Sequence, residues 1–150
     1  MTWILLLALA CGKSASDHLD AAREDLAKGQ YDPAINDAGQ GLQASPDDKT
    51  EWGLQNVILE ANARAGKAAE TKQKLEELAT KHPDRITPSL YSGSAQQLKD
   101  AGKAGESIEI LDAGHKRFPD DPTISKGIRD AMQQGDPAAL ERLRSLGYIQ

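Results

Sequence analysis

Three histidines, His18, His82 and His115, come first because imidazole serves near neutral pH as general base, proton shuttle and metal ligand. The closest two lie 33 positions apart (115 − 82), and none has a second histidine three or four residues away, where two ligands would share a helix face. They read as turn and surface residues. The serines at 14, 16, 45, 89, 92, 94, 107, 125 and 145 have no histidine at a diagnostic spacing, and a serine nucleophile needs an adjacent, oriented base. HExxH, CxxC, P-loop, nucleophile-elbow and strand-linked GxGxxG patterns do not occur in the chain. The sequence therefore points away from an enzyme, and no cofactor, metal or small-molecule substrate is expected.

Cysteine chemistry is left. Cys11 is the one cysteine in the sequence, which excludes a disulfide within the chain. It follows ten uncharged residues, of which Trp3 to Ala10 form an unbroken apolar run of eight. Such a run is too short to cross a bilayer as a helix, which takes about 20 apolar residues. It reads as the apolar centre of a secretory signal. The sequence Ala8-Leu9-Ala10-Cys11 resembles a lipobox, where a small residue precedes a cysteine that is acylated and becomes the mature N-terminus. The resemblance implies a signal peptide over 1–10, a lipidated tether over 11–15 and a folded domain over 16–150. Gly12 after the cysteine, by similarity to enteric lipoproteins, implies the outer membrane and a periplasmic domain. A lipid of more than one chain on Cys11 would be the sole membrane attachment, since a single acyl chain anchors only marginally.

The rest of the chain is punctuated by a glycine and a proline 17 positions apart, three times: Gly29 and Pro46, Gly66 and Pro83, Gly102 and Pro119. Each proline is followed by acid, at Asp47, Asp84 and Asp120. Glycine enters the left-handed conformation that ends a helix at little cost. Proline stops the next helix by removing a backbone donor and restricting the residue before it. The aspartate is suited to cap the helix that follows. Each unit is then helix A, glycine turn, helix B and Pro-Asp turn. Successive glycines are 37 and 36 residues apart (66 − 29, 102 − 66), near the 34-residue period of a tetratricopeptide unit. The segment Lys28-Gly29-Gln30-Tyr31-Asp32-Pro33-Ala34-Ile35, continued by Ser45-Pro46-Asp47-Asp48, closely resembles the second half of a tetratricopeptide (TPR) repeat, and the resemblance runs from about Ala15 to Asp121.

Helical periodicity places Leu19, Ala22 and Leu26 on one buried face of a first helix over Ser16 to Ala27, with Ser16 or Asp17 as its cap. Ala34, Ile35, Ala38 and Leu42 face inward from a second helix over Asp32 to Ala44, which Gly39 and Gly41 weaken by about 1 kcal/mol each relative to alanine. The second unit offers Val57, Ile58 and Leu59, then Leu75 and Leu78 over Ala68 to Lys81. Its first helix is about three residues longer than the norm, which accounts for the 37-residue spacing. The third unit offers Leu90, Tyr91, Ala95 and Leu98, then Ile108, Ile110, Leu111 and Phe118. A last pair opening at Asp121-Pro122 carries Ile124 and Ile128, turns at Gly135-Asp136-Pro137, and ends in a helix bearing Leu140, Leu143 and Leu146. The expected fold is an all-α solenoid of about three TPR-like helix pairs closed by a C-terminal capping pair, as open-ended solenoids require.

Composition agrees with recognition rather than chemistry. Aromatic residues make up 4 % of the 150-residue chain and apolar ones 39 %, lean for a compact globule and ordinary for a solenoid. The formal charge of −5 is distributed in both signs with no block of lysine and arginine, which disfavours nucleic acid as a partner. The TPR resemblance implies a concave groove lined by the A helices and holding a partner protein. Carried over residue by residue, the groove positions are Leu19, Asp20, Arg23 and Ala27; Asn56, Glu60, Ala63 and Arg64; Ser92, Gln96, Lys99 and Asp100; and Lys126 and Asp130. Of these Arg23, Asn56, Glu60, Arg64, Gln96 and Lys99 are the expected partner-binding residues. Where one TPR subclass clamps a C-terminal carboxylate, this chain has Leu19, Val57, Ser89 and Gly93, which does not match that clamp. The expected function is a lipid-anchored periplasmic scaffold for an envelope assembly. A soluble cytoplasmic TPR adaptor with a misread start is the alternative.

Overall fold

A computed structural model describes residues 12–150, so the expected signal peptide and lipidation at Cys11 lie outside the described residues. The helices are α1 (Ala15–Ala27), α2 (Tyr31–Gln43), α3 (Asp48–Arg64), α4 (Ala68–Lys81), α5 (Pro88–Asp100), α6 (Ala104–Arg117), α7 (Pro122–Gln134) and α8 (Pro137–Ser145). They form an all-α solenoid of three successive helix pairs and a terminal pair. Each odd-numbered helix packs on the next odd one and on the even helix between them, while α4, α6 and α8 pack in sequence on the other side. α2 packs only on α1 and α3.

The glycine turns are built alike. Gly29, Gly66 and Gly102 have φ of 74°, 71° and 78°. The following amides of Gln30, Lys67 and Lys103 donate back to the carbonyls of Asp25, Asn62 and Leu98 at 2.8, 2.9 and 2.8 Å. Those bonds satisfy carbonyls that the ending helix leaves free.

The Pro-Asp turns are less uniform than the sequence suggests. Asp47 does cap α3, accepting from the Thr50 amide at 2.7 Å. Asp84 and Asp120 cap nothing, because more chain separates their prolines from the next helix. α5 begins five residues after Pro83 (88 − 83), with Thr87 at its N-cap and no side-chain cap bond. In that longer turn the Arg85 amide reaches the His82 carbonyl at 3.0 Å and Ile86 is buried. α7 begins three residues after Pro119 (122 − 119), and its cap is Asp121, as the Asp121-Pro122 opening implies, accepting from Thr123 and Ile124 at 2.9 and 3.0 Å. The first helix also starts earlier than expected. Ser14, rather than Ser16 or Asp17, is its cap, in a reciprocal capping box with Asp17. The Ser14 hydroxyl and amide hold the Asp17 carboxyl below its ordinary range.

Two clusters of buried side chains share α3. One joins Leu19, Ala22, Leu26, Ala34 and Ala38 to Leu54, Val57 and Ala61. The other takes Leu59 and Ala63 from α3 and runs through Leu75, Leu78, Leu98, Ile108 and Ile124 to Leu143. α3 has 17 residues where its neighbours have 13 or 14, enough turns to serve both clusters. Leu54, fully buried, escaped the sequence reading. It fills the space left by Gly41, where a Cβ would stand 2.8 Å from the leucine. That close approach compensates a glycine inside α2. The histidines are not all surface residues either, for His18 is buried between α1 and α2 with its Nδ1 3.7 Å from Asp37.

Candidate functional site

The odd-numbered helices present one continuous face, because each A helix packs directly on the next. Two of the residues assigned to it are elsewhere. Leu19 and Ala63 are 7 % and 0 % exposed and belong to the two cores, since both fall on the side of their helices that meets the neighbouring pair. The rest of the face is polar apart from Ala27, with Asn56, Glu60, Ser92, Lys99 and Asp130 half-buried and the others exposed.

Between α5 and α7 lies a cleft of about 370 Å³. Its walls are Ser89, Ser92, Gln96 and Lys99 on one side and Thr123, Lys126, Asp130 and Gln134 on the other. Its floor is apolar, from Ala95, Ile108, Leu111 and Ala131. Lys99 donates from Nζ to the Gln134 amide oxygen across the cleft, Gln96 donates to Asp100 at 2.7 Å, and Lys126 pairs with Asp130 one turn on at 2.5 Å. Of the six expected binding residues, this cleft takes Gln96 and Lys99.

A smaller cleft of about 150 Å³ between α3 and α5 takes two more, Asn56 and Glu60, over Leu59 and Leu90. Asn56 Nδ2 donates to the Trp52 carbonyl at 2.7 Å, and Glu60 is paired with Arg64 at 2.5 Å. Ser89 and Gly93 line both clefts, so the two flank the same turn of α5. Arg64 itself stands outside both, in a separate depression with Tyr31, Gln97 and Asp100. Arg23 is exposed on α1, loosely paired with Asp20 at 4.0 Å. The six residues thus share a face but do not converge on one site.

Comparisons with protein-family models, with curated proteins and with solved structures find no match to this chain.

Ser89 and Gly93, which the resemblance places at two of the clamp positions, line both clefts, although neither carries a group that clamps a carboxylate. A broader depression of about 590 Å³ lies on the opposite side, between α4 and α6. It is bridged by Lys72 and Glu109 at 3.7 Å, and Arg142 of α8 reaches the same carboxylate at 2.6 Å; screened pairs at such an exposed place add little. Among the described residues no three His, Cys, Asp or Glu side chains gather as a metal site would, and no helix is long and apolar enough to cross a membrane.

Proposed function

We propose that this chain is a TPR-type scaffold, tethered at the outer membrane by a lipid on Cys11, whose odd-helix face holds a partner protein of an envelope assembly. The observation that carries the recognition role is the pair of clefts that flank Ser89 and Gly93 on either side of α5. They combine an apolar floor with several convergent polar groups, the usual composition of a binding surface. The envelope location rests on the apolar run and lone cysteine before Gly12. The role involves no catalytic step and no cofactor.

Two measurements on the full chain test this reading. Cys11→Ser should move the protein from the membrane fraction to the soluble fraction, and mass spectrometry of the unsubstituted protein should find Cys11 as an acylated N-terminus. Photocrosslinkers at Gln96 and Asn56 in intact cells should capture envelope proteins, whereas one placed at Lys72 on the opposite side should not. An unmodified N-terminus together with cytoplasmic crosslinks replaces the scaffold by the soluble adaptor.

A further inference from the structure

We infer, resting on that reading of the odd-helix face, that the α5/α7 cleft receives an extended segment of a partner protein carrying an apolar residue and, two positions on, an acidic one. The segment crosses α5 at Gly93.

The crossing point follows from what is missing. A Cβ built on Gly93 would have no atom within 4 Å, and the residue lines the clefts on both sides of α5. A bare backbone at the ridge between two clefts is where a second chain approaches most closely. The floor beyond it, with Ile108 and Leu111, accepts an apolar side chain.

Charge selects the next residue. Among the described residues Lys99 forms no ion pair, and its ammonium is held by the neutral Gln134 side chain. Lys126, on the opposite wall, shares Asp130. The cleft therefore carries two cations against one carboxylate in a chain whose formal charge is −5. An entering carboxylate replaces the amide at Lys99 and completes an ion pair, while a basic side chain meets uncompensated positive charge.

Spacing sets the pattern. Ala95 in the floor and Lys99 are four residues apart (99 − 95) on one face of α5, about 6 Å along a helix rising about 1.5 Å per residue. Past Gly93, an extended chain running along the cleft covers that in about two residues and turns alternate side chains to the same side. An apolar side chain over the floor at Ala95 thus places the residue two positions further at Lys99. A helical ligand fits less well, because a cylinder about 10 Å across does not enter the notch that one missing side chain leaves at Gly93.

The test uses the full chain carrying Cys11→Ser and fluorescent nine-residue peptides with blocked ends, so that no terminal carboxylate contributes. Each peptide holds a central Leu-Thr-Glu or Leu-Thr-Lys in a β-branched, helix-poor background, and anisotropy reads the affinity. The Glu peptide should bind about tenfold more tightly than the Lys peptide, with the difference shrinking in high salt. Lys99→Glu should reverse the order, and Gly93→Gln should abolish binding without lowering the melting temperature. Equal affinity for the two peptides, undiminished binding by Gly93→Gln, tighter binding of a helix-stapled peptide, or no binding of either peptide at millimolar concentration each overturns the inference. If crosslinks at Gln96 still capture an envelope protein while the peptides are not distinguished, only this inference falls. If crosslinks and fractionation fail, the scaffold reading falls with it.

Discussion

At the residue scale, the most consequential polar contact joins the chain that follows α8 to the middle of α6. Tyr148 donates from its hydroxyl to Asp112 Oδ1 at 3.0 Å, Asp112 is 9 % exposed, and Lys116 neutralises it at 2.7 Å. His115 stacks edge-on against the Tyr148 ring. This cluster fastens the chain after α8 to α6, and the Gly147 turn aims it there, with the Tyr148 amide reaching the Leu143 carbonyl at 3.0 Å. Burial first, and then the hydrogen bond to Asp112, push the phenol from its ordinary 10.0 up to about 12. Below pH 10 the phenol is protonated folded or unfolded, so its contribution is fully present. Between pH 10 and 12 the unfolded chain ionises first and stability falls. Tyr148→Phe should cost about 1.5–3 kcal/mol at neutral pH, the worth of a hydrogen bond to a charged group. It should also remove part of the alkaline loss. Buried Tyr91, whose phenol is likewise raised, remains in both proteins, so the difference between the two denaturation curves is the readout. Parallel loss of stability across that interval would refute the role given to Tyr148.

At the scale of the element, the same residue type has opposite meanings on two helices. A Cβ on Gly93 meets open space, whereas one on Gly114 would stand 2.8 Å from Tyr91 Cβ and 2.9 Å from Ile124 Cδ1. Gly93→Ala should stabilise the protein by about 0.5–1 kcal/mol, the helix-propensity difference alone. Gly114→Ala should destabilise it by about 1–3 kcal/mol, because overpacking where α5 and α7 meet α6 outweighs the same propensity gain. Thermal melts of the two variants that shift in the same direction would contradict this account. The contrast also marks what the sequence could tell. Helix positions were legible from glycine and proline punctuation and from apolar periodicity, local signals that the turns at Gly29, Gly66 and Gly102 obey. The Asp84 cap was misread because the extra residues before α5 change the register of the turn. The polar walls of the clefts were legible, since Asn56, Glu60, Ser92, Gln96, Lys99, Lys126 and Asp130 all line them. Their division into two clefts and the apolar floor of the larger one were not, because these depend on how closely α6 meets α5 and α7 at Gly114 and Gly127, whose neighbours lie on other helices.

For the whole molecule, the two cores are unequal in what they bury. The cluster between α1, α2 and α3 has eight buried residues, of which Ala22, Ala34, Ala38 and Ala61 are alanine. The cluster from α3 to α8 has fifteen, of which eleven are leucine or isoleucine. At about 25 cal/mol for each Å² of apolar surface removed from water, alanines contribute much less than the larger chains. α2 also packs only on α1 and α3, whereas α6 is held by α4, α5, α7 and α8. In a solenoid, stability is close to a sum of unit and interface terms, so an end with fewer interfaces opens first. Native-state hydrogen exchange should therefore find the α2 amides opening at a lower free energy than those of α6, in a transition distinct from global unfolding. A single opening energy for both helices would mean that α3 couples the clusters into one cooperative unit. The α5/α7 cleft lies wholly in the larger cluster. Its walls are then already in place when α1 and α2 open, and peptide binding should not depend on the state of that end.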